Sequence, residues 1–321
     1  MRPSITVIGA GATGAYLAAL LSSGGLAVQL VARGHTLAAI RERGIVVRSP
    51  GADDGELHAR PDVVAPDEVA TGADFVLFCV KAYDNESAFE TVGRAVGPGA
   101  TLVSLQNGIR HDRALAEVVG ADRLLVSALY VAAERPEPGV VLALTRPRVL
   151  VGPYAGVDLT VAARFRSVLA GCAIDCDADA DVAARRWEKW VLNCALNALT
   201  TVTGCTCDQI MATPSTRRLF ESVVEEAVDA AEAAGAPVAA GARDGVLRVA
   251  SSLRCGSSMA EDLRAGRPLE REEFTGELLR LVGQRTMAPV SATLDGILEL
   301  LDPAGPGRPR QGQPSMGRRA S

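Results

Sequence analysis

SITVIGAGATG, residues 4–14, is the most informative stretch of the chain. Its β-branched run ending at Ile8 predicts a strand, and the helical spacing that opens at Thr13 or Gly14 predicts a helix after it. The turn between them fits the spacing G-x-G-x-x-G and consists of Gly9, Ala10, Gly11, Ala12, Thr13 and Gly14. Such glycines permit a tight bend, let the backbone approach a pyrophosphate, and pack the helix on the strand. We therefore predict a dinucleotide-binding turn, with a glycine-rich turn that holds no ligand as the alternative.

β-rich runs alternate with helical or loop segments through the first half of the chain. The runs are AVQLVARG (27–34), DFVLFCVKA (74–82), ATLVSLQNG (100–108) and DRLLVSALYVAA (122–133). Strands that alternate with helices form parallel crossovers, so we predict an α/β fold with a Rossmann-type doubly wound parallel sheet. The segment GVVLALTRPRVLVGPY (139–154) contains two short apolar runs and predicts an antiparallel hairpin at the sheet edge.

The residues that follow these predicted strands indicate which nucleotide binds. The second strand has no acidic residue and is followed by Arg33, whose fork of donors suits a ribose 2′-phosphate. We therefore predict NADP(H) as the cofactor, with a solvated surface arginine as the alternative. Lys81 and Asn107 follow the third and fourth strands, where the carboxyl ends of parallel strands meet a ligand. For Asn107, an ordinary Asn-Gly turn is the alternative.

From about residue 182 the β signal disappears and the periodicity becomes helical. We predict an NADP-binding domain at 1–179, an all-α substrate and catalytic domain at 180–303, and a disordered tail at 304–321. The tail is rich in proline, glycine and arginine and cannot bury enough apolar surface to order itself. A solvated tail and a basic contact for acidic partners are both compatible with it.

Composition limits the classes of partner. Of the 321 residues, 48% are hydrophobic and 22% are charged, with a net charge of −5, so neither nucleic acid nor an anionic membrane is indicated. We find no signal peptide and no apolar run long enough to span a membrane, and we expect a cytoplasmic protein. The seven cysteines and three histidines are scattered, which predicts reduced thiols and no metal. A redox or metal pair in CTC (205–207) is the alternative.

EKWVLNCALNALT, residues 188–200, predicts an apolar helix with a polar stripe. Lys189, Asn193 and Asn197 recur every four residues and therefore lie along one side of it. Burial of these groups costs free energy unless each finds a partner, so we expect the stripe to face a groove, a neighbouring element or a ligand. An ordinary core helix with an extended lysine at its rim is the alternative.

Together these stretches resemble the ketopantoate reductases (2-dehydropantoate 2-reductases) over about residues 4–302. ITVIGAGATGAYLAALL, VKAYD and LQNG are similar to the family's nucleotide-domain blocks. WEKWVLNCALNALT is similar to its most specific block, in which asparagines follow a lysine by four and eight residues. SSMAEDLRAGRPLEREEFTGELL resembles its last block, with a serine twelve residues before a glutamate.

The resemblance implies a role for each matching residue. It implies catalytic roles for Lys189 and Glu270, cofactor contacts for Arg33, Lys81 and Asn107, and substrate contacts for Asn107, Asn193, Asn197 and Ser258. Lys189 would protonate the developing alkoxide while Glu270 orients the ammonium. Ser258 with Glu261 also fits a helix capping box, and a solvated charged face is the alternative for Glu270.

The implied activity is NADPH-dependent reduction of 2-dehydropantoate to pantoate, with a small keto acid as partner, no nucleic acid, no membrane, and a homodimer left open. Two departures from the family keep a related reductase of another keto or imino substrate in view. Ala198 stands where the family usually has proline, and LALTRP (142–147) replaces a histidine-bearing stretch. A non-catalytic nicotinamide-binding sensor is a further alternative, and Arg33 disfavours an NAD-dependent dehydrogenase.

Overall fold

The computed structural model describes residues 3–49, 55–156, 158–283 and 287–305. The chain divides into two compact units, Met1–Arg186 and Trp187–Ser321. The domain limits predicted at 179 and 303 stay predictions. Of the predicted tail, residues 306–321 lie outside the described residues.

The first unit is built on a large, mostly parallel sheet. Its strands are β1 (Ser4–Ile8), β2 (Ala27–Val31), β3 (Ile45–Arg48), β4 (Leu57–Ala59), β5 (Asp62–Val64), β6 (Phe75–Phe78), β7 (Thr101–Ser104), β8 (Leu124–Tyr130), β9 (Ala133–Glu137), β10 (Val140–Ala143), β11 (Arg148–Pro153) and β12 (Asp175–Ala178). Eight of them form one sheet in the order β12-β11-β8-β7-β6-β1-β2-β5. Only the β8–β11 pair is antiparallel in this sheet. The predicted α/β fold class is confirmed.

Helices cover both faces of this sheet. They are α1 (Ala12–Ser23), α2 (Gly34–Arg43), α3 (Asn85–Ala95), α4 (Asp112–Val119) and α5 (Thr160–Leu169). Strand β6 shows why its sequence is continuously apolar: Phe75 and Leu77 belong to one buried cluster, whereas Val76 and Phe78 belong to another. A central parallel strand must be apolar on both sides because helices pack on both faces.

The hairpin predicted for residues 139–154 is wrong. Strands β9 and β10 form the antiparallel pair instead, around a turn in which Gly139 has φ +84°. Strand β10 also pairs with β3 in a small four-stranded sheet of order β4-β3-β10-β9, while β11 joins the large sheet beside β8 and β12. Two apolar runs in succession give no information about which sheet each one joins, so the local pattern could not separate them.

Among its described residues, the second unit contains helices joined by turns and no strand. Its helices are α6 (Val182–Thr203), whose first five residues belong to the first unit, α7 (Cys207–Ala212), α8 (Pro214–Ala233), α9 (Ala242–Ser252), α10 (Ser258–Arg264), α11 (Thr275–Val282) and α12 (Pro289–Leu301). Helix α6 runs unbroken through Ala198, the position where a proline was expected from the family. Within the described ranges, no helix has both the length and the apolar character needed to cross a bilayer.

Candidate active site

The glycine turn connects β1 to α1, which begins at Ala12. Gly9 has φ +106°, a left-handed conformation that favours glycine. A Cβ on Gly14 would lie 1.9 Å from the carbonyl oxygen of Gly9, and a Cβ on Gly9 would lie 2.9 Å from Cγ1 of Val80. The first and third glycines are therefore required by the fold itself.

Gly11 differs from Gly9 and Gly14 because the fold leaves room for a side chain there. A Cβ built on this residue would meet no atom within 4 Å, so its open side faces space rather than protein. Gly11 also caps α1, a helix with no acidic residue in its first turn. The amino end of a helix attracts anions through its unpaired N–H groups and its dipole. This turn thus fits the pyrophosphate of a dinucleotide.

Three predicted cofactor residues follow parallel strands of the same sheet, two of which, β6 and β7, are neighbours while β1 separates β6 from β2. Arg33 follows β2, Lys81 follows β6 and Asn107 follows β7. Arg33 is exposed, and its Nη1 donates a hydrogen bond of 3.0 Å to Oγ of Ser87 at the start of α3. Lys81 and Asn107 are half-buried. All three lie at the carboxyl ends of their strands, the edge where ligands bind in such sheets.

Gln106 holds the loops after β6 and β7 together. Its side chain is buried, and its Nε2 donates hydrogen bonds of 2.7 Å to the carbonyl of Val80 and to Oδ1 of Asn85. The Asn85 amide returns a bond of 3.3 Å to the Gln106 side chain. Its anchoring contacts reach partners more than 20 residues away, so they cannot be read from the local sequence.

A buried polar cluster, which sequence analysis missed, lies beneath the Asn107–Gly108 turn. The guanidinium of Arg186 forms a bidentate pair with the carboxylate of Asp112 and donates a bond of 2.9 Å to the carbonyl of Gly108. The imidazole Nε2 of His111 lies 2.8 Å from Oγ of Ser104. Arg186 and Asp112 are 74 positions apart, so no local pattern could have revealed the pair.

His111 is neutral in this cluster. Burial lowers its pKa to about 4, with Asp112 opposing the shift and Arg186 adding to it. Its Nδ1 is buried and has no hydrogen-bond partner in the described part of the chain. A neutral imidazole between a serine and an ion pair indicates a structural role at neutral pH.

The predicted stripe occupies three successive turns of α6. Lys189 and Asn193 are half-buried, whereas Asn197 is only 5% exposed. At a rise of about 1.5 Å per residue the stripe is about 12 Å long. Neither carboxamide forms a hydrogen bond with another residue of the described ranges. Because buried amides almost always find a partner, the buried carboxamide of Asn197 is suited to hold a ligand, and the half-buried Asn193 lies one turn away on the same side of α6.

The segment carrying Glu270 is fastened to α6 next to Lys189. The indole Nε1 of Trp190 donates a hydrogen bond of 2.8 Å to the carbonyl of Glu273, in a 3₁₀ turn at Arg271–Glu273. Glu270 precedes that turn and is 7% exposed. Its surroundings therefore differ from the solvated charged face that its sequence context suggested.

The segment carrying Ser258 is fastened to the other end of the stripe. Oγ1 of Thr200 lies 2.7 Å from Oγ of Ser257, which accepts a hydrogen bond of 3.2 Å from the amide of Ala260. Ser257 is thus the N-cap of α10, and the predicted capping box of Ser258 with Glu261 is wrong. Ser258 is the first helical residue, and its side chain is exposed. The hydroxyl needed for capping comes from the buried serine, which leaves the exposed one available for other contacts.

Comparison with known proteins identifies the fold family. Residues 5–156 match the family "Ketopantoate reductase PanE/ApbA", and residues 181–303 match its C-terminal domain. The chain belongs to the ketopantoate reductase family. The predicted resemblance and the prediction of an oxidoreductase of this kind are confirmed.

Individual relatives of this ketopantoate reductase family member cover nearly its whole length. A 2-dehydropantoate 2-reductase of Halobacterium salinarum is 32% identical over 92% of this chain and 98% of its own. A protein of the same name from Mycobacterium tuberculosis is 30% identical over 93% and 97%. The crystal structure of a 2-dehydropantoate 2-reductase from Geobacter metallireducens is 28% identical, with a TM-score of 0.84 over 92% of this chain and 99% of that one.

A more distant solved structure has the same fold and contains a nicotinamide nucleotide. D-mandelate dehydrogenase, whose structure contains NADH and anilino(oxo)acetate, is 18% identical with a TM-score of 0.85 over 93% of this chain and 97% of that one. At this identity the likeness concerns the fold alone.

In each unit the structure brings the predicted residues to one place. The first unit groups the Gly9–Gly14 turn, Arg33, Lys81 and Asn107 at one edge of its sheet, and the second groups Lys189, Asn193 and Asn197 with the segments that carry Glu270 and Ser258. Their individual roles stay predictions. Cys205 and Cys207 are free thiols, and no group of His, Cys, Asp and Glu in the described ranges is arranged to hold a metal ion.

Proposed function

We propose that this protein reduces 2-dehydropantoate to pantoate with NADPH, a step of pantothenate biosynthesis. The observation that carries the proposal is the stripe on α6: a lysine followed by two carboxamides that form no hydrogen bond with the described protein. A keto acid with a hydroxyl and a carboxylate offers partners for all three groups. The 30–32% identity to proteins named 2-dehydropantoate 2-reductase supports the same substrate.

Lys189 is the proton donor in this proposal. Reduction of a ketone leaves negative charge on its oxygen, and the site must offer a group that both stabilises this charge and releases a proton. An ammonium does both, whereas a guanidinium keeps its protons. Of the 33 basic residues of the chain, only Lys81 and Lys189 are lysines, and all others are arginines. Of the two lysine positions, only that of a proton donor requires a group that arginine cannot replace, which supports this role for Lys189.

The other polar groups hold the reactants around that lysine. The buried carboxylate of Glu270 orients the ammonium of Lys189. The carboxamides of Asn193 and Asn197 bind substrate oxygens, and the exposed hydroxyl of Ser258 binds the substrate carboxylate. Such fixed donors need no reorganisation when charge develops, which lowers the barrier relative to water.

The first unit holds the cofactor. The open side of Gly11 and the amino end of α1 receive the pyrophosphate, while Arg33 and Lys81 provide positive charge for the 2′-phosphate. When bound, NADPH supplies the hydride. Arg33→Asp tests this assignment: binding of NADPH should weaken far more than binding of NADH, and an equal loss for both would contradict it.

The substrate is tested by following NADPH oxidation with 2-dehydropantoate and a panel of other 2-keto acids and imines, with NADH as the control. Turnover of 2-dehydropantoate at least about a hundredfold more efficient than that of the others, a difference of about 2.7 kcal/mol in barrier, is expected. Preference for another panel member would assign the same chemistry to a different pathway. Tight NADPH binding without any turnover would support a sensor and contradict the proposal.

A further inference from the structure

We propose that Asp112 and Arg186 are a positioning pair for Asn107, and this inference rests on the proposed function of that asparagine in binding cofactor and substrate. The pair acts through the Asn107–Gly108 turn at the carboxyl end of β7. In this proposal the pair contacts neither the cofactor nor the substrate and acts on both through Asn107.

Arg186 connects the carboxylate of Asp112 to the backbone of Gly108. Its guanidinium forms two bonds to the carboxylate of Asp112 and a third, of 2.9 Å, to the carbonyl of Gly108. Only arginine has a planar fork with enough donors to satisfy a carboxylate and a carbonyl at once. The bond to Gly108 fixes the peptide that directly follows Asn107, in a turn where Gly108 has φ +93°.

The backbone before Asn107 is fixed as well. The buried Gln106 donates to the carbonyl of Val80 and to the side chain of Asn85, both at 2.7 Å. Asn107 therefore stands between two residues whose positions are set by polar bonds reaching distant parts of the unit. Functional side chains depend on such support, since a displacement of about 1 Å can reduce a rate by about a hundredfold.

Both charged groups are buried, and the loss of their hydration offsets much of the stability that the ion pair contributes. The side chains of Arg186 and Asp112 are 8% and 9% exposed, respectively. Well-packed apolar residues commonly stabilise a core as well as a buried ion pair does, whereas a buried pair is specific in geometry. A pair of this kind beside a ligand-binding turn points to geometry as its main contribution.

The test is a double-mutant cycle between Arg186→Lys and Asn107→Ala. Arg186→Lys keeps the charge but cannot make all three bonds, and we expect kcat/KM to fall by roughly 10- to 100-fold. In the double variant the loss should equal that of Asn107→Ala alone, because Arg186 acts through Asn107. A purely structural role would make the two losses multiply, which would overturn the proposal. So would wild-type activity in Arg186→Lys or in Asn107→Ala.

The control is Arg164→Lys, which alters another arginine–aspartate pair of the same unit. Arg164 pairs with Asp74, just before the amino end of β6, at the opposite edge of the sheet from Asn107. We expect its effect on kcat/KM to be small and to multiply with that of Asn107→Ala; non-multiplicative behaviour here would also overturn the proposal. If Arg186→Lys does not fold, Asp112→Asn replaces it, since it keeps the shape of the pair and removes one charge.

NADPH affinity, measured from the fluorescence of the bound nucleotide, provides a second readout of the same cycle. Wild-type turnover of 2-dehydropantoate reports the proposed function separately. If the wild type binds NADPH but does not reduce that substrate, the cycle in affinity still supports or overturns the positioning pair.

Discussion

The glycine turn of the first unit and the α6 stripe of the second differ in which part of the chain the proposed function uses. In the turn the proposal relies on the main chain, because Gly9 and Gly14 leave no room for a side chain and Gly11 leaves an open side. In the stripe it relies on the end groups of three side chains carried by a helix. A methyl group on Gly9 or Gly14 should therefore damage the fold of the first region, whereas a change of end group in the stripe should damage chemistry alone.

The largest expected effect is on chemistry in the stripe. Lys189→Arg and Lys189→Ala should each lower kcat by about a thousandfold, because neither replacement supplies a transferable proton. NADPH affinity and Tm should stay near those of the wild type. Lys81→Arg is the matched control at the other lysine; it keeps a charge for the phosphate, so its kcat should change by less than about tenfold. Near-normal turnover in Lys189→Arg would remove the residue from the mechanism.

The next effect is on folding in the glycine turn. Gly14→Ala places a methyl group on the carbonyl of Gly9 and should destabilise the protein by about 3 kcal/mol, measured by urea denaturation. Gly11→Ala adds the same methyl group into open space, so stability should change by less than about 0.5 kcal/mol while NADPH affinity falls. The idea that the two glycines serve different purposes fails if both variants lose stability equally.

A smaller effect concerns pH and the buried His111. Its pKa is lowered to about 4 in the folded protein, so between about pH 6.5 and about pH 4 the unfolded chain binds a proton that the folded chain does not. Stability therefore falls as the pH falls through this window, by about 2 kcal/mol between about pH 7 and about pH 5. His111→Gln should flatten this part of the profile in urea denaturation. An unchanged slope would show that other groups cause the pH dependence.

The smallest expected effects concern Ser257 and Ser258, two adjacent serines with different predicted roles. Ser257→Ala removes the N-cap of α10 and its contact with Thr200, and it should cost about 1 kcal/mol of stability. Ser258→Ala removes an exposed hydroxyl that caps nothing, so stability should be unchanged while KM for the keto acid rises. Thermal denaturation together with steady-state kinetics distinguishes the two; the reverse assignment would contradict the roles given to them here.

The rarity of lysine in this chain also indicates the site. Lysine occurs at only two positions among 33 basic residues, and both are positions for which the proposal needs a cation at a ligand. Counting lysines would have drawn attention to Lys189 without any knowledge of its neighbours. No comparable count exists for Asp112 and Arg186, because arginine and aspartate are abundant throughout this chain.

The sequence was sufficient to predict features that depend on residues only a few positions apart. The glycine turn, the buried parallel strands and the polar stripe all follow from spacings of a few residues, and each was predicted correctly as a pattern. The tertiary structure was needed wherever a partner lies far along the chain. It placed β10 and β11 in different sheets, buried Ser257 against Thr200 so that this serine and not Ser258 is the cap, and joined Arg186 to Asp112 beneath Asn107. Local spacing reports which face of an element is apolar, but the choice of partner depends on the burial and geometry of the whole fold.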